Sequence, residues 1–163
     1  MEPVGRFDIV VGIPSRNNGT SIRRVIETTS HGLKDFFPDM KSLILVVDSF
    51  SLDSTRAEAR DAKLNDNQTM MIVKAGKGVG GAIRYILTTA KIFDADVACI
   101  MDADVRSTQP SWLDSQIEAV LDGADLVVPR YKRSKFDGLI TNNVLYPVFY
   151  SLLGCDLSQP MAG

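Results

Sequence analysis

The stretch FDADVACIMDADVRS, residues 93–107, contains the tripeptide Asp-Ala-Asp twice, at residues 94–96 and again at residues 102–104. The two copies flank the apolar run VACIM, residues 97–101. A short, continuous apolar run bounded by polar residues is typical of a strand that is buried on both faces. The stretch therefore predicts a buried β-strand with an acidic pair at each end.

Four further apolar runs have the same character and predict strands at residues 7–13, 43–47, 70–73 and 124–128. Between these runs, apolar residues recur at the three- and four-residue spacing of helices. The helices are marked by Ile22, Val25 and Ile26, by the segment that starts near Asp53, by Ala82, Ile83 and Ile86, and by Leu113, Ile117 and Val120. This alternation predicts an α/β fold with a mainly parallel sheet flanked by helices. A last helix is expected over residues 145–153, with Pro147 in its first turn.

Three of the predicted helices carry start signals. Thr20 or Ser21 is expected to cap the first helix, because a hydroxyl can accept an N–H of the first turn. Thr55 and Glu58 have the spacing of a capping box at the second helix. Pro110 favours a helix start at the fourth.

The composition indicates a globular chain, since 45% of the 163 residues are hydrophobic and 23% are charged. The net charge of −2, without a dense lysine or arginine block, argues against a nucleic-acid partner. No apolar run reaches the ~20 residues that a transmembrane helix needs, and the N-terminus lacks the pattern of a secretory signal. The cytoplasm is therefore the expected compartment. Cys99 lies inside an apolar run and is interpreted as a core residue.

The two acidic pairs are expected at opposite ends of one strand. In an open α/β sheet, ligands bind outside the carboxyl ends of the strands. Asp102 and Asp104 follow the strand and lie on that edge, whereas Asp94 and Asp96 precede it, roughly 15 to 20 Å away. The second pair is therefore interpreted as functional and the first as a solvated turn between helix and strand.

Three other polar loops are predicted at the same edge of the sheet. They are PSRNNG after the first strand (residues 14–19), DSFSLD after the second (residues 48–53) and KAGKGVGG after the third (residues 74–81). Each loop has a purely structural alternative: the glycines could form a turn, and Asp48 and Asp53 could cap the second helix. Four such loops on one edge favour a binding site.

The residue types at this edge suit a metal-bound nucleotide. Asp102 and Asp104 offer the oxygen ligands that Mg²⁺ and Mn²⁺ prefer, and a divalent ion there can bridge a diphosphate. The segment Gly76-Lys77-Gly78 permits close backbone approach and adds a positive charge. An acid after the second strand, Asp48, is placed for a ribose hydroxyl or a base edge. The combination predicts a site for a nucleoside diphosphate that carries a transferable group.

These motifs resemble those of the nucleotide-sugar-dependent glycosyltransferases of the GT-A fold, particularly family 2. The matching segments are VVGIPSRNN, LVVDSFSLDST, KAGKGVGGAIRYIL and ACIMDAD, in the family's order, over about residues 7 to 130. Within that family, GKGVGGAIRY, TNN and the terminal QPMAG resemble the mannosylglycerate and glucosyl-3-phosphoglycerate synthases.

The resemblance implies transfer of a hexose from a nucleoside-diphosphate sugar, UDP- or GDP-linked, to an acceptor hydroxyl that the sequence does not identify. It implies Mg²⁺ or Mn²⁺ as cofactor, with Asp104 and Asp102 as metal ligands. The substrate-binding residues that it implies are Pro14, Ser15, Asp48, Gly76, Lys77, Gly78 and Asp102. Those implied in catalysis are Asp102, Asp104 and Lys77.

The resemblance also implies one glycosyltransferase domain over residues 1–163. Its donor-binding core would be residues 1–130, and residues 131–163 would begin the acceptor-binding region, with Gln159–Gly163 in it. The family's further histidine ligand and catalytic carboxylate would lie beyond residue 163, so a C-terminally truncated chain is expected. The apolar stretch LYPVFYSLLG, residues 145–154, would suit a homodimer interface.

Three other functions compete with this interpretation. One is a non-catalytic nucleotide-binding domain. Another is a phosphatase with a nucleophilic Asp-x-Asp motif, but that motif normally ends the first strand of its fold and here follows the fourth. The third is a sugar-phosphate nucleotidyltransferase, whose glycine-rich loop should follow the first strand, where this chain has PSRNNGTS.

Overall fold

The computed structural model describes residues 5–129 and 139–154. Strands and helices alternate through the first part of the chain, as the sequence predicts. The elements are β1 (Ile9–Ser15), α1 (Ile22–Phe36), β2 (Ser42–Asp48), α2 (Thr55–Arg60), β3 (Gln68–Lys74), α3 (Gly78–Ile92), β4 (Val97–Ile100) and α4 (Pro110–Leu121), then a π-helical turn (Thr141–Leu145) and α5 (Tyr146–Leu153).

The four strands form one parallel sheet in the order β3-β2-β1-β4. Ser15, Asp48 and Lys74 stand side by side in the register, so β1, β2 and β3 end level with one another. The chain moves from β1 outward to β3 and then crosses to the other side of β1 to form β4. This reversal creates a crevice between the carboxyl ends of β1 and β4, which is where open α/β sheets bind ligands.

Helices cover both faces of the sheet. On one face, α1 and α4 bury residues such as Ile26 and Leu113 against alternate side chains of the strands. On the other face, α3 buries Ala82, Ile86 and Ala90. All seven residues of β2 are buried, because each of its faces is covered by a helix layer.

Cys99 is a core residue, as predicted. It lies in β4 with little exposed surface, and its thiol contacts the side chain of Gln116. Burial raises the pKa of Cys99 to about 12. The thiol is therefore protonated and unreactive at neutral pH.

A glycine in the middle of β1 sets the position of α3. A Cβ atom added at Gly12 would lie 2.3 Å from Cγ2 of Ile86, which is fully buried. The helix therefore packs on the bare backbone of the strand, and this close approach brings the start of α3 toward the carboxyl edge of the sheet.

We expect Gly12→Ala to lower the free energy of unfolding by about 1–3 kcal/mol, because the added methyl group overpacks the core. Urea denaturation measures this loss. The Ile86→Ala substitution removes the opposing atoms. The double variant should therefore lose less unfolding free energy than the sum of the losses in the two single variants. Gly80→Ala is the control, since nothing lies within 4 Å of the added atom. Additive losses for residues 12 and 86 would contradict the packing interpretation.

The prediction of a fifth strand at residues 124–128 is wrong. After α4 the chain turns at Gly123, whose φ is +107°, and Leu126 and Val128 are 80% and 57% exposed. Residues 124–128 form no strand in the described part of the chain. A strand requires hydrogen-bond partners on a neighbouring strand, which a local apolar pattern does not supply.

The strand ends and helix caps also differ from the predictions. Pro14, Ser15 and Asp48 belong to strands and not to the loops that follow them. Ser21 precedes α1 but makes no side-chain cap, and Thr55 is already the first residue of α2, so the capping box is not formed. Both prolines stand where they were expected, Pro110 at the start of α4 and Pro147 in the first turn of α5.

Contacts divide the chain into two units, Met1–Asp125 and Leu126–Gly163. The first unit holds the sheet and α1–α4. In the second, the rings of Tyr146 and Tyr150 stack with centroids 6.2 Å apart, and Gly154, at φ +64°, ends α5. None of the described helices has both the length and the apolar character that crossing a membrane requires.

Candidate functional site

A pocket of about 280 Å³ opens at the carboxyl edge of the sheet, where the strand order reverses. We call it the carboxyl-edge pocket. The end of β1, the turn after β2, the start of α3 and the loop after β4 all line it. The lining residues are Pro14, Ser15, Arg16, Asn18, Ser49, Gly78, Val79 and residues 102–104. The structure thus brings together four segments that are distant in the sequence.

The Asp-Ala-Asp turn, residues 102–104, places two carboxylates in this pocket. Met101 and Ala103 are buried in the core, so the alternating side chain of Asp102 faces the other way, half-buried. Asp104 is exposed. Burial raises the pKa of Asp102, and the neighbouring charge of Asp104 raises it further. Two like charges held in a partly buried turn would both be stabilised by a cation.

The raised pKa of Asp102 predicts a pH-dependent stability of the cation-free chain. The folded chain holds this proton more tightly than the unfolded chain, so ionisation of Asp102 lowers the free energy of unfolding as pH rises. In EDTA at pH 7, Asp102→Asn should therefore be the more stable chain, as judged by its melting temperature. The advantage should shrink as the pH falls toward the ordinary aspartate value of 3.8.

Asp96→Asn serves as the control for this pH dependence, because Asp96 lies at the other end of β4 in an exposed ion pair with Arg6. An Asp102→Asn chain that gains no stability at pH 7 would contradict the electrostatic interpretation.

The donor set of the turn fits a hard divalent cation. Carboxylate oxygens are the ligands that Mg²⁺ prefers, and Mg²⁺ usually binds one or two protein carboxylates together with water and phosphate oxygens. In the part of the chain that the structure describes, no group of three or more His, Cys, Asp or Glu side chains could hold a metal. Asp102 and Asp104 could thus supply two ligands and leave the other positions to a phosphate-bearing ligand.

Ser15 lines the pocket and carries a buried polar atom. The residue is only 4% exposed, and its Oγ has no hydrogen-bond partner among the described residues. A buried hydroxyl without a partner costs about 1–3 kcal/mol. Rotation of the hydroxyl toward a polar ligand or a water molecule in the pocket would remove that cost.

The loop after β1 is held rigidly by asparagine side chains. Asn18 Oδ1 accepts the N–H of Arg16 at 2.7 Å, and Asn17 Oδ1 accepts the N–H of Leu52 at 3.0 Å. The N–H of Asn17, at φ +56°, donates to Ser51 Oγ. These bonds fix the backbone from which Arg16 and Asn18 reach the pocket.

Arg16, Asn18, Ser49 and Val79 line the pocket although the sequence analysis gave them no individual role. All four lie in the loops that were predicted at this edge. Arg16 carried the clearest signal, because a guanidinium beside a predicted diphosphate site is suited to bind an anion.

The structure does not bring Asp48 to the pocket surface. Its side chain is fully buried and accepts hydrogen bonds from the backbone N–H and the hydroxyl of Ser51. Arg56 Nε lies 3.5 Å from its Oδ2. Asp48 therefore holds the turn that carries Ser49, whose N–H donates to the carbonyl of Ser15 at 2.8 Å.

Asp53 has the structural role that the sequence analysis considered for it. Its Oδ1 accepts the N–H of Thr55 at the start of α2, and its Oδ2 accepts the N–H of Gly19 at 2.9 Å. The Thr55 hydroxyl and then the Gly19 N–H lower the pKa of Asp53. The carboxylate ties α2 to the loop after β1.

The Gly76-Lys77-Gly78 segment forms the start of α3. Gly76 and Gly78 have φ values of +80° and +72°, which favour glycine. Gly78 and Val79 line the pocket, whereas Gly76 packs beneath the first helical turn and Lys77 is exposed. The N-cap residue Lys77 makes no side-chain cap, so among the described residues the first N–H groups of this helix are available to an anion.

The first acidic pair lies at the opposite end of β4, as predicted. Arg6 pairs with Asp96 and donates to the carbonyl of Asp94. The N–H of Asp96 donates to the carbonyl of Asp8, just before β1. This pair belongs to a surface turn at the amino edge of the sheet.

A scan against protein-family models matches residues 10–154 to glycosyl transferase family 2. Comparison with curated proteins found no match.

Several solved structures resemble the chain. Glucosyl-3-phosphoglycerate synthase from Mycobacterium tuberculosis, in complex with Mn²⁺, UDP and phosphoglyceric acid, is 25% identical with a TM-score of 0.72. The alignment covers 96% of this chain and 54% of that one. Another structure of the M. tuberculosis synthase is 26% identical, with a TM-score of 0.70 and coverages of 96% and 55%. A mycobacterial protein is 26% identical, with a TM-score of 0.73 and coverages of 99% and 53%. The chain thus spans about half the length of these relatives.

Proposed function

This chain belongs to glycosyl transferase family 2, and we propose that it binds a nucleoside-diphosphate sugar in the carboxyl-edge pocket and transfers the hexose to an acceptor hydroxyl. The observation that carries this proposal is the convergence in one pocket of the Asp-Ala-Asp turn, the unpaired Ser15 hydroxyl and the uncapped start of α3. These groups suit, in that order, a cation, a polar nucleoside and a diphosphate.

Asp104 and Asp102 would hold Mg²⁺ or Mn²⁺, which as a Lewis acid would offset the charge that develops on the departing diphosphate. The raised pKa of Asp102 supports this assignment, since burial and then the neighbouring charge of Asp104 disfavour its ionised form and a cation would offset both effects. Structural relatives that were crystallised with Mn²⁺ together with UDP or UDP-glucose support it as well.

The start of α3 would bind the diphosphate. Its free N–H groups point from a fixed helix end, so they need not reorganise as negative charge grows on the leaving group. Lys77 precedes the helix and has no ion pair among the described side chains. Its long, exposed side chain can extend toward the same phosphates and add a positive charge. Gly76 would position this segment, and Gly78 would permit close approach.

The nucleoside would lie against Pro14 and Ser15. The Ser15 hydroxyl would gain the partner that it lacks in the described structure. Arg16, on the adjacent rim, would bind an anionic group of the donor or acceptor. To contact the base or ribose, Asp48 would have to lose its hydrogen bonds with Ser51 or its ion pair with Arg56. This assignment therefore demands a local rearrangement.

UDP is the better candidate for the donor nucleotide, because relatives were crystallised with UDP and UDP-glucose; GDP is the alternative. The predicted acceptor segment Gln159–Gly163 lies outside the described residues. A homodimer is a further proposal, to which exposed α5 residues such as Val148 and Leu152 could contribute.

Nucleotide-dependent melting tests the proposal. UDP at a hundred times its dissociation constant, with Mn²⁺, should stabilise the chain by about 2.7 kcal/mol, which raises the melting temperature by roughly 5–10 °C. EDTA should abolish most of this shift, and UMP, which lacks the second phosphate, is the matched control. A chain that no nucleoside diphosphate stabilises, with or without Mn²⁺, would contradict the proposal.

A non-catalytic nucleotide-binding domain is the second candidate, because the chain spans only about half of its solved relatives. A UDP-glucose hydrolysis assay, which measures the release of UDP, distinguishes an enzyme from a non-catalytic binding domain. Turnover above that of the Asp104→Asn variant supports an enzyme, and nucleotide binding without any turnover supports the alternative.

A further inference from the structure

Ser21 connects α1 to the Asp-Ala-Asp turn. Its Oγ donates to the carbonyl oxygen of Ala103 at 2.7 Å, and the two residues are 82 positions apart in the chain. Both are nearly buried, Ser21 at 6% exposure and Ala103 at 3%. A hydrogen bond in such surroundings is screened little by water and holds its partners in a narrow range of positions.

This contact replaces the role that Ser21 would ordinarily have. Serine at the position before a helix usually accepts an N–H of the first turn, but Ser21 makes no such bond. Its closest oxygen contact is the carbonyl of the residue between Asp102 and Asp104. The start of α1 therefore goes without a side-chain cap while the Asp-Ala-Asp turn gains an anchor.

A second contact lies just beyond the turn. The guanidinium of Arg106 donates to Thr20 Oγ1 at 3.4 Å, so the residue before Ser21 meets the residue two positions after Asp104. The bond is long and exposed and contributes less than the buried one. The start of α1 thus contacts the turn and also the loop that follows it.

We propose that Ser21 is a positioning residue, which orients Asp102 and Asp104 toward the carboxyl-edge pocket by fixing the carbonyl between them. Ala103 has no polar side chain of its own, and the peptide planes on either side of it set the directions of the two carboxylates. Without the anchor, those planes can rotate and the two carboxylates no longer converge. The proposal rests on the proposed function, because it concerns the cation site of that function.

The test is the Mn²⁺ affinity of the chain, measured from the electron paramagnetic resonance signal of free Mn²⁺. Ser21→Ala should weaken Mn²⁺ binding about tenfold or more, as the loss of groups that orient metal ligands commonly does. Ser21→Thr, which keeps the hydroxyl, should bind Mn²⁺ nearly as well as the unmodified chain does.

Ser30→Ala is the matched control. Ser30 is likewise a buried serine but lies within α1, and its Oγ accepts hydrogen bonds from the backbone and side-chain N–H groups of Asn65. It lies nine residues, or about 13 Å, further along the helix. Its loss should lower the melting temperature without changing the Mn²⁺ affinity.

The outcomes separate this proposal from the proposed function. If the unmodified chain binds Mn²⁺ and Ser21→Ala binds it equally well, the positioning role is overturned and the proposed function stands. If Ser21→Ala and Ser30→Ala weaken Mn²⁺ binding equally, the effect comes from lost stability, and the positioning role of Ser21 is overturned as well. If the unmodified chain binds no Mn²⁺ but is stabilised by UDP, the positioning role is overturned and nucleotide binding stands; if it binds neither Mn²⁺ nor UDP, both proposals are overturned.

Discussion

Asp104→Asn is expected to weaken Mn²⁺-dependent UDP binding at least about a hundredfold, since it removes a charged ligand and even the loss of a supporting residue costs 10- to 100-fold. Asparagine keeps the shape of the side chain, so the fold should be preserved. Isothermal titration with UDP, in the presence of Mn²⁺ and again in EDTA, measures the effect. In EDTA the variant and the unmodified chain should differ little.

Asp96→Asn is the control that tests the placement of the two acidic pairs. Asp96 stands in an identical Asp-Ala-Asp tripeptide, but at the amino end of β4 and in an exposed ion pair with Arg6. Exposed pairs contribute about 0–1 kcal/mol, so stability should change little and UDP binding not at all. Equal losses of UDP affinity in the Asp96 and Asp104 variants would refute the assignment of the second pair as the functional one.

Gly76→Ala is expected to lower the free energy of unfolding by about 2–4 kcal/mol. One part of this loss comes from the left-handed backbone, because a residue with a Cβ is destabilised by about 1–2 kcal/mol at a φ of +80°. The other part is overpacking, because the new Cβ would lie 2.7 Å from the backbone nitrogen of Ala82. Urea denaturation measures the loss, and UDP affinity should fall with it because the first turn of α3 must move.

Gly78→Ala separates the two parts. Gly78 has a similar φ of +72°, but nothing lies within 4 Å of an added Cβ. It should therefore lose only about 1–2 kcal/mol of stability, the cost of the backbone conformation alone. Equal losses at the two glycines would show that the contact with Ala82 relaxes at no cost and would contradict the packing part of this prediction.

The sheet and the edge that carries the site follow from local sequence patterns. Apolar runs predict buried parallel strands, and the carboxyl ends of parallel strands meet at one edge. That rule placed Asp102 and Asp104 beside Pro14, Ser15 and Gly78 and placed Asp96 at the other end. The structure agrees on each of these placements.

The fifth strand shows where local pattern fails. Four of the residues 124–128 are apolar, yet Leu126 and Val128 are exposed and the segment forms no strand. Strand formation depends on a neighbouring strand with free hydrogen-bonding groups, and a run of residues carries no information about that neighbour.

Residue periodicity and strand direction suffice to predict the α/β class, the edge at which the polar loops gather and the acidic pair that lies there. The use of single side chains depends on the folded arrangement. It buries Asp48 against Ser51 and Arg56 and leaves the buried Ser15 hydroxyl without a partner among the described residues. It also directs Ser21 to Ala103 and away from its own helix. Each of these outcomes depends on contacts between residues far apart in the chain, which no local pattern encodes.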